Sequence, residues 1–228
     1  MPLRALIFDF DGLIVDTESA DYQAWLAIYE KHSAHLSLAR WNEGIGSYDT
    51  FDPYAHLAEQ LGRPIDREAI RAEHRARLDG LLADAAPLPG VREWIADARQ
   101  LGLRLGIASS SPHRWVEPFL AQLGLREPFQ VICCNDDVPR TKPDPALYRL
   151  ALQRLDVRAD EAAALEDSPH GVRAAKAAGL YCIAVPNPMT RTLDLDGADL
   201  RILSLADLAL NEFIARFEAP IQAQPLQG

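Results

Sequence analysis

Five short apolar runs, each ending in turn or acidic residues, constrain the fold more than any other feature of the sequence. They cover Ala5 to Phe8, Arg104 to Ala108, Val131 to Cys133, Ala162 to Leu165 and Tyr181 to Val185. Runs of this length and composition read as strands, and the stretches between the later ones read as helices. That alternation predicts an α/β fold: a Rossmann-like parallel sheet with helices on both faces. In such a sheet ligands bind beyond the carboxyl ends of the strands.

Residues 16–88 break the alternation. Tyr22 to His32, Pro53 to Leu61 and Arg67 to Leu82 have amphipathic helical spacing, with no convincing strand among them. The interval reads as an inserted helical domain. The return point falls at Ala86-Pro87-Leu88-Pro89-Gly90, where prolines and a glycine stop a helix and restart the chain. The expected division is therefore a core of residues 1–15 and 89–228 with a helical domain of residues 16–88. The tail, 217–228, lacks a periodic apolar face and is expected to fray.

Charge narrows the partners. A formal net charge of -10 disfavours nucleic acid and anionic membrane, which reward basic surfaces. No apolar run approaches the roughly 18 residues needed to span a bilayer. The apolar N-terminus is interrupted by Asp9 and Asp11 and lacks a small-residue cleavage site, so the cytoplasm is the expected compartment. Cys133, Cys134 and Cys182 fit no paired metal or redox spacing and read as buried small hydrophobes. No protein partner is evident.

The polar residues that follow the strands carry the chemistry. Asp9 and Asp11 of FDFDG close the first run, with Gly12 allowing a tight departure. IASSS ends the second with small hydroxyls before Pro112, where free backbone N–H groups favour anions. Thr141-Lys142-Pro143 precedes a proline-started helix. With 20 Arg against 3 Lys in the chain, a lysine there suggests a site that wants a compact ammonium. LEDSPHG ends another run in Glu166 and Asp167, hard oxygen donors suited to Mg²⁺. Each segment alone has a plain alternative: a solvated acidic turn, a serine helix cap, a surface lysine, acidic residues at a helix start. Together they follow strands of one parallel sheet and converge on one edge.

In this order FDFDG, IASSS, TKPDP and LEDS resemble the motifs of the haloacid dehalogenase superfamily across nearly the whole chain. DFDGLIVDTE and EDSPHGVRAAKAAG are specific matches. The chain looks like the branch that holds β-phosphoglucomutase and small-molecule phosphatases, which inserts a helical cap between the first two motifs. The resemblance implies Asp9 as nucleophile, Asp11 as general acid/base, and Ser109 and Lys142 as phosphoryl-binding residues. It implies Mg²⁺ held by Asp9, the Asp11 backbone carbonyl and Asp167, with Glu166 assisting. Tyr48, Ser110 and His113 are candidate substrate contacts.

The expected activity is Mg²⁺-dependent hydrolysis of a small phosphorylated metabolite, with sugar phosphates as candidates, through an aspartyl-phosphate. Asp11 disfavours carbon–halogen cleavage, because dehalogenases lack this second carboxylate. A phosphosugar mutase is the alternative. It would need a cap that grips a second phosphate, yet the matching places hold Asp21 and an uncharged or acidic loop, Gly44 to Asp49. Arg71, Arg75 or Arg77 could still supply that grip. A catalytically silent ligand-binding protein is the third reading. The four tryptophans, Trp25, Trp41, Trp94 and Trp115, read as core or domain-interface residues.

Overall fold

The computed structural model describes residues 2–45 and 51–219. Within them β1 (Ala5–Phe8), β2 (Arg104–Ala108), β3 (Val131–Cys133), β4 (Ala162–Glu166), β5 (Tyr181–Ala184) and β6 (Leu200–Arg201) form one parallel sheet, ordered β3-β2-β1-β4-β5-β6. The fourth apolar run extends one residue further than expected, to Glu166, and the fifth stops one earlier, at Ala184. The edge strand β6 has too few residues to stand out as an apolar run.

Successive side chains of β1 and β4 point to opposite faces, and both faces are covered. Leu6, Phe8, Ala163 and Leu165 join a core with Trp94, Phe119 and Phe213. These last three come from α5 (Val91–Gln100), α6 (His113–Gln122) and α9 (Leu210–Glu218). Ala5, Ile7, Ala162 and Ala164 face α7 (Ala146–Leu155) and α8 (Pro169–Ala177) on the other side. The small side chains of β4 let those helices approach closely. All three cysteines are buried and free. The helix α9 continues through Glu218, two residues into the segment expected to fray. Phe217 packs edge-on against Tyr181, and the Glu218 carboxylate accepts from Leu3 N at 3.1 Å.

Between β1 and α5 lie α1 (Thr17–Lys31), α2 (Leu38–Asn42), α3 (Pro53–Leu61) and α4 (Arg67–Leu82). The chain leaves the sheet at Val15 and returns at Leu88, whose N–H donates to Ile14 O at 2.8 Å. Helix α1 starts earlier than its apolar periodicity suggests because the Asp16 carboxylate caps it, accepting from Ser19 N at 3.0 Å. Asp52 and Asp66 cap α3 and α4 in the same way. Trp25, Tyr29, Trp41, Leu57 and Ile70 form the apolar cluster of this region, which Met189 from the loop after β5 completes. Leu78 and Leu82 at the end of α4 pack into the sheet-side core instead. No helix among the described residues is long and apolar enough to cross a membrane.

Candidate active site

The ends of β1 and β4 are neighbours in the sheet, so the residues that follow them meet. Asp9 N donates to Leu165 O at 3.0 Å as the last rung of that pairing. The chain then turns sharply at Gly12, whose φ of 77° lies in the left-handed region that glycine adopts freely. Space demands glycine as well: a Cβ there would lie 2.4 Å from both Asn187 Nδ2 and Asp167 Oδ2. Asn187 uses that clearance to bind Gly12 O at 3.1 Å and Asp167 Oδ2 at 2.7 Å. Ser168 caps α8 by accepting from Gly171 N, which fixes the backbone just after Glu166 and Asp167. Gly171 leaves room for the Glu166 carboxyl group, since a Cβ would sit 1.8 Å from Glu166 Oε2.

Lys142 enters this acidic pocket fully buried. Its Nζ lies 2.6 Å from Asp9 Oδ1 and 2.6 Å from Glu166 Oε1, and the Tyr148 hydroxyl also donates to Glu166 Oε1. Burial alone would strip the proton from the lysine, but Asp9 and Glu166 outweigh it and push the ammonium pKa up. Burial, aided by Glu166 and Asp11, raises the Asp9 carboxyl despite the attraction of Lys142. Burial and the charges of Asp9, Glu166 and Glu18 raise Asp167 as well. Glu18, half-buried, is raised by burial and by Asp11, Asp21, Asp9 and Asp16 around it. One ammonium serves too many carboxylates, and the pocket is short of positive charge.

That deficit fits a hard divalent cation. Asp9, Glu166 and Asp167 each offer an oxygen, and these oxygens lie within 4.8 Å of one another. Glu166 Oε2 is buried without a hydrogen-bond partner, an orphan of the kind an ion would satisfy.

Asp11 sits differently. Its Oδ1 accepts from Thr17 Oγ1 at 2.8 Å and Trp115 Nε1 at 2.9 Å, and its Oδ2 accepts from Ser111 Oγ at 2.5 Å. None of these three donors was singled out from the sequence as a partner of Asp11. Tyr148, in the first turn of α7, and Asn187, in the loop after β5, lie outside the four motifs as well. The Asn-Pro context of Asn187, just past a strand end, was its one available signal.

The other predicted residues fall as follows. Ser109 is buried and its Oγ accepts from Ser111 N at 3.0 Å. Its hydroxyl proton has no acceptor among the described residues. Ser110 Oγ is buried without a partner. Both ring nitrogens of His113 have partners, Glu117 at 3.0 Å and Asp137 at 2.8 Å. Tyr48 lies outside the described residues.

The sequence profile of haloacid dehalogenase-like hydrolases matches residues 6–185. The chain belongs to that hydrolase family. Among its relatives is YhcW of Bacillus subtilis, provisionally named a phosphatase, 42% identical with 91% of this chain and 94% of that protein covered. Hexitol phosphatase B of Escherichia coli is 32% identical over 93% of this chain and 97% of its own length. Among solved structures, CbbY of Rhodobacter sphaeroides in complex with phosphate superposes with a TM-score of 0.73 at 33% identity, covering 90% of this chain and 96% of that one. A β-phosphoglucomutase of Clostridium difficile, 21% identical with a TM-score of 0.77, shares the fold.

Proposed function

We propose that this hydrolase is a Mg²⁺-dependent phosphatase of small phosphate monoesters that carries the phosphoryl group on Asp9. The observation that carries the reading is the buried set at the ends of β1 and β4: Asp9 against Lys142, with Glu166 and Asp167 within ligand distance. Asp9, Asp167, Glu166 and the Asp11 backbone carbonyl would hold the ion. Bound there, Mg²⁺ supplies the positive charge that lets an anionic carboxylate approach an anionic phosphate.

The side chains divide the remaining work. An oxygen of Asp9 attacks phosphorus as the ester P–O bond breaks, and Asp11 delivers a proton to the departing alkoxide. The Lys142 ammonium and the Ser109 hydroxyl, whose proton is uncommitted, hold the phosphoryl oxygens. Asp11 then takes a proton from the attacking water, the Asp9–phosphorus bond breaks, and inorganic phosphate leaves. Residues 16–88 act as a cap over a core formed by residues 1–15 and 89–228, limiting the access of bulk water. The buried hydroxyl of Ser110 is available to the substrate.

Two observations favour water over a second sugar hydroxyl as the final acceptor. Arg71, Arg75 and Arg77 pair with Glu68, Asp79 and Glu73 on their own helix. Two cap acids lie on this side: Glu18, which senses the charge of Asp11, and Asp21, which senses Glu18 and is bound to His74 at 2.6 Å. These side chains offer a second phosphate no cation and can hydrogen-bond hydroxyls, so neutral-tailed monophosphates of the polyol or sugar kind are the expected substrates. The hexitol phosphatase relative supports this class. The free cysteines suit a cytoplasmic setting.

The test is phosphate release from a panel of sugar and polyol monophosphates with product identification. Activity is expected to vanish with EDTA, return with Mg²⁺, and fall at least about a thousandfold in Asp9→Asn. Undiminished turnover in that variant would sink the proposal. Isomerised sugar phosphate without free phosphate, seen with a bisphosphate primer, would replace it by the mutase.

A further inference from the structure

The three donors that hold Asp11 come from separate parts of the chain and differ in kind. Thr17 opens α1 and Ser111 lies in the loop after β2. Both are hydroxyls, which rotate and can either donate or accept. Trp115, in the first turn of α6, brings an indole N–H that only donates, on a large rigid ring. Trp115 and Thr17 both donate to Oδ1, and Ser111 donates to Oδ2.

The same ring has two further contacts. Phe119, one turn along α6, lies 5.4 Å from it, centroid to centroid. From α4 the Arg75 guanidinium lies over it, with Cζ 5.2 Å from the centroid, a cation–π contact between the helical region and the sheet-bearing region. Asp79 steadies that arginine at 2.9 Å. A chain of two contacts thus runs from the outer face of α4 to the carboxylate: Arg75 to Trp115, Trp115 to Asp11.

We infer that Trp115 is the positioning residue for Asp11, and that Arg75 makes the seating of α4 part of that positioning. The inference rests on the phosphatase reading, in which Asp11 protonates the leaving group. It has a consequence that a packing role lacks. An alkoxide leaves poorly without a proton, whereas p-nitrophenolate leaves well without one. Misplacing Asp11 therefore penalises the two esters unequally in kcat/KM, which reports on steps up to phosphoryl transfer to Asp9.

The experiment compares wild type, Trp115→Phe and Arg75→Met on p-nitrophenyl phosphate and on the sugar monophosphate turned over fastest in the panel. Trp115→Phe keeps an aromatic ring at that place and removes the N–H together with the five-membered part of the indole. It is expected to lose about tenfold in kcat/KM on the sugar phosphate, the size of one hydrogen bond to a charged acceptor. On p-nitrophenyl phosphate the loss stays below about threefold. Arg75→Met is expected to show the same selectivity at about threefold. In the metal-free protein, the indole N–H resonance that disappears in Trp115→Phe should shift in Arg75→Met.

Equal losses on both esters would overturn the positioning role. Selective loss in Trp115→Phe with an unchanged Arg75→Met, by rate and by resonance, would sever the link to α4. Should Trp115→Phe fail to fold, Arg75→Met decides alone, since that side chain is 60% exposed and its replacement leaves the core intact. A wild type that hydrolyses neither ester is a different result: it removes the phosphatase reading and this inference with it.

Discussion

At the ends of β1 and β4, Asp9 and Glu166 each stand 2.6 Å from Lys142, with scarcely any of the three side chains exposed. On α4, Arg71 and Glu68 stand 2.9 Å apart with 61% and 82% of their side chains in solvent. The distances nearly match and the physics does not. In the buried set each charge has given up its hydration, so each depends on its partners; on α4 water replaces any partner that is lost.

The sharpest way to break that contrast is to remove the buried cation. Lys142→Met leaves Asp9 and Glu166 buried without compensation, and by analogy with other broken buried pairs it should cost about 3–5 kcal/mol in denaturant unfolding of the metal-free protein. A cost as small as that of a surface pair would erase the distinction.

An intermediate case sits beside α6. Burial alone would raise the Asp137 carboxyl, but Arg154, the Cys134 N–H and His113 outweigh it and hold it at about 2, against 3.8 for the free group. A carboxylate lowered on folding contributes stability that is full above its unfolded pKa and is lost as pH falls through its folded one. Stability should therefore decline between about pH 4 and pH 2, and Asp137→Asn should flatten that decline while lowering stability at neutral pH. An unchanged acid limb would show that the ties around Asp137 do not distinguish folded from unfolded chain. At the far end, Arg71→Ala should change stability by less than about 0.5 kcal/mol, read in the same unfolding experiment.

The same contrast explains what the sequence disclosed. Strand ends were legible because burial on both faces forces continuous apolar runs, and the polar residues after them stand out by interruption. Asp9, Glu166 and Asp167 are found at such interruptions, Lys142 stands out as one of three lysines before a proline-started helix, and the structure brings the four together. The supporting residues follow no such rule. Tyr148 reaches Glu166 from the first turn of α7, Asn187 spans Gly12 and Asp167 from a loop, and Trp115 looks like any core aromatic until its N–H is followed to Asp11. For His113 the place next to a site loop suggested a substrate contact; its pairing with Glu117 and Asp137 is a matter of side-chain partners that no spacing encodes.

The contact between Lys142 and Asp9 joins residues 133 positions apart in the chain. It cannot be made by local structure: Lys142 follows β3, which pairs with β2, which in turn pairs with β1. During synthesis from the N-terminus, Asp9 emerges long before the lysine that neutralises it, and until then water must solvate it. Drying that carboxylate takes Lys142 from beyond β3 on one side of β1 and the end of β4 on the other, which makes activity a reporter of a sheet assembled on both sides of β1.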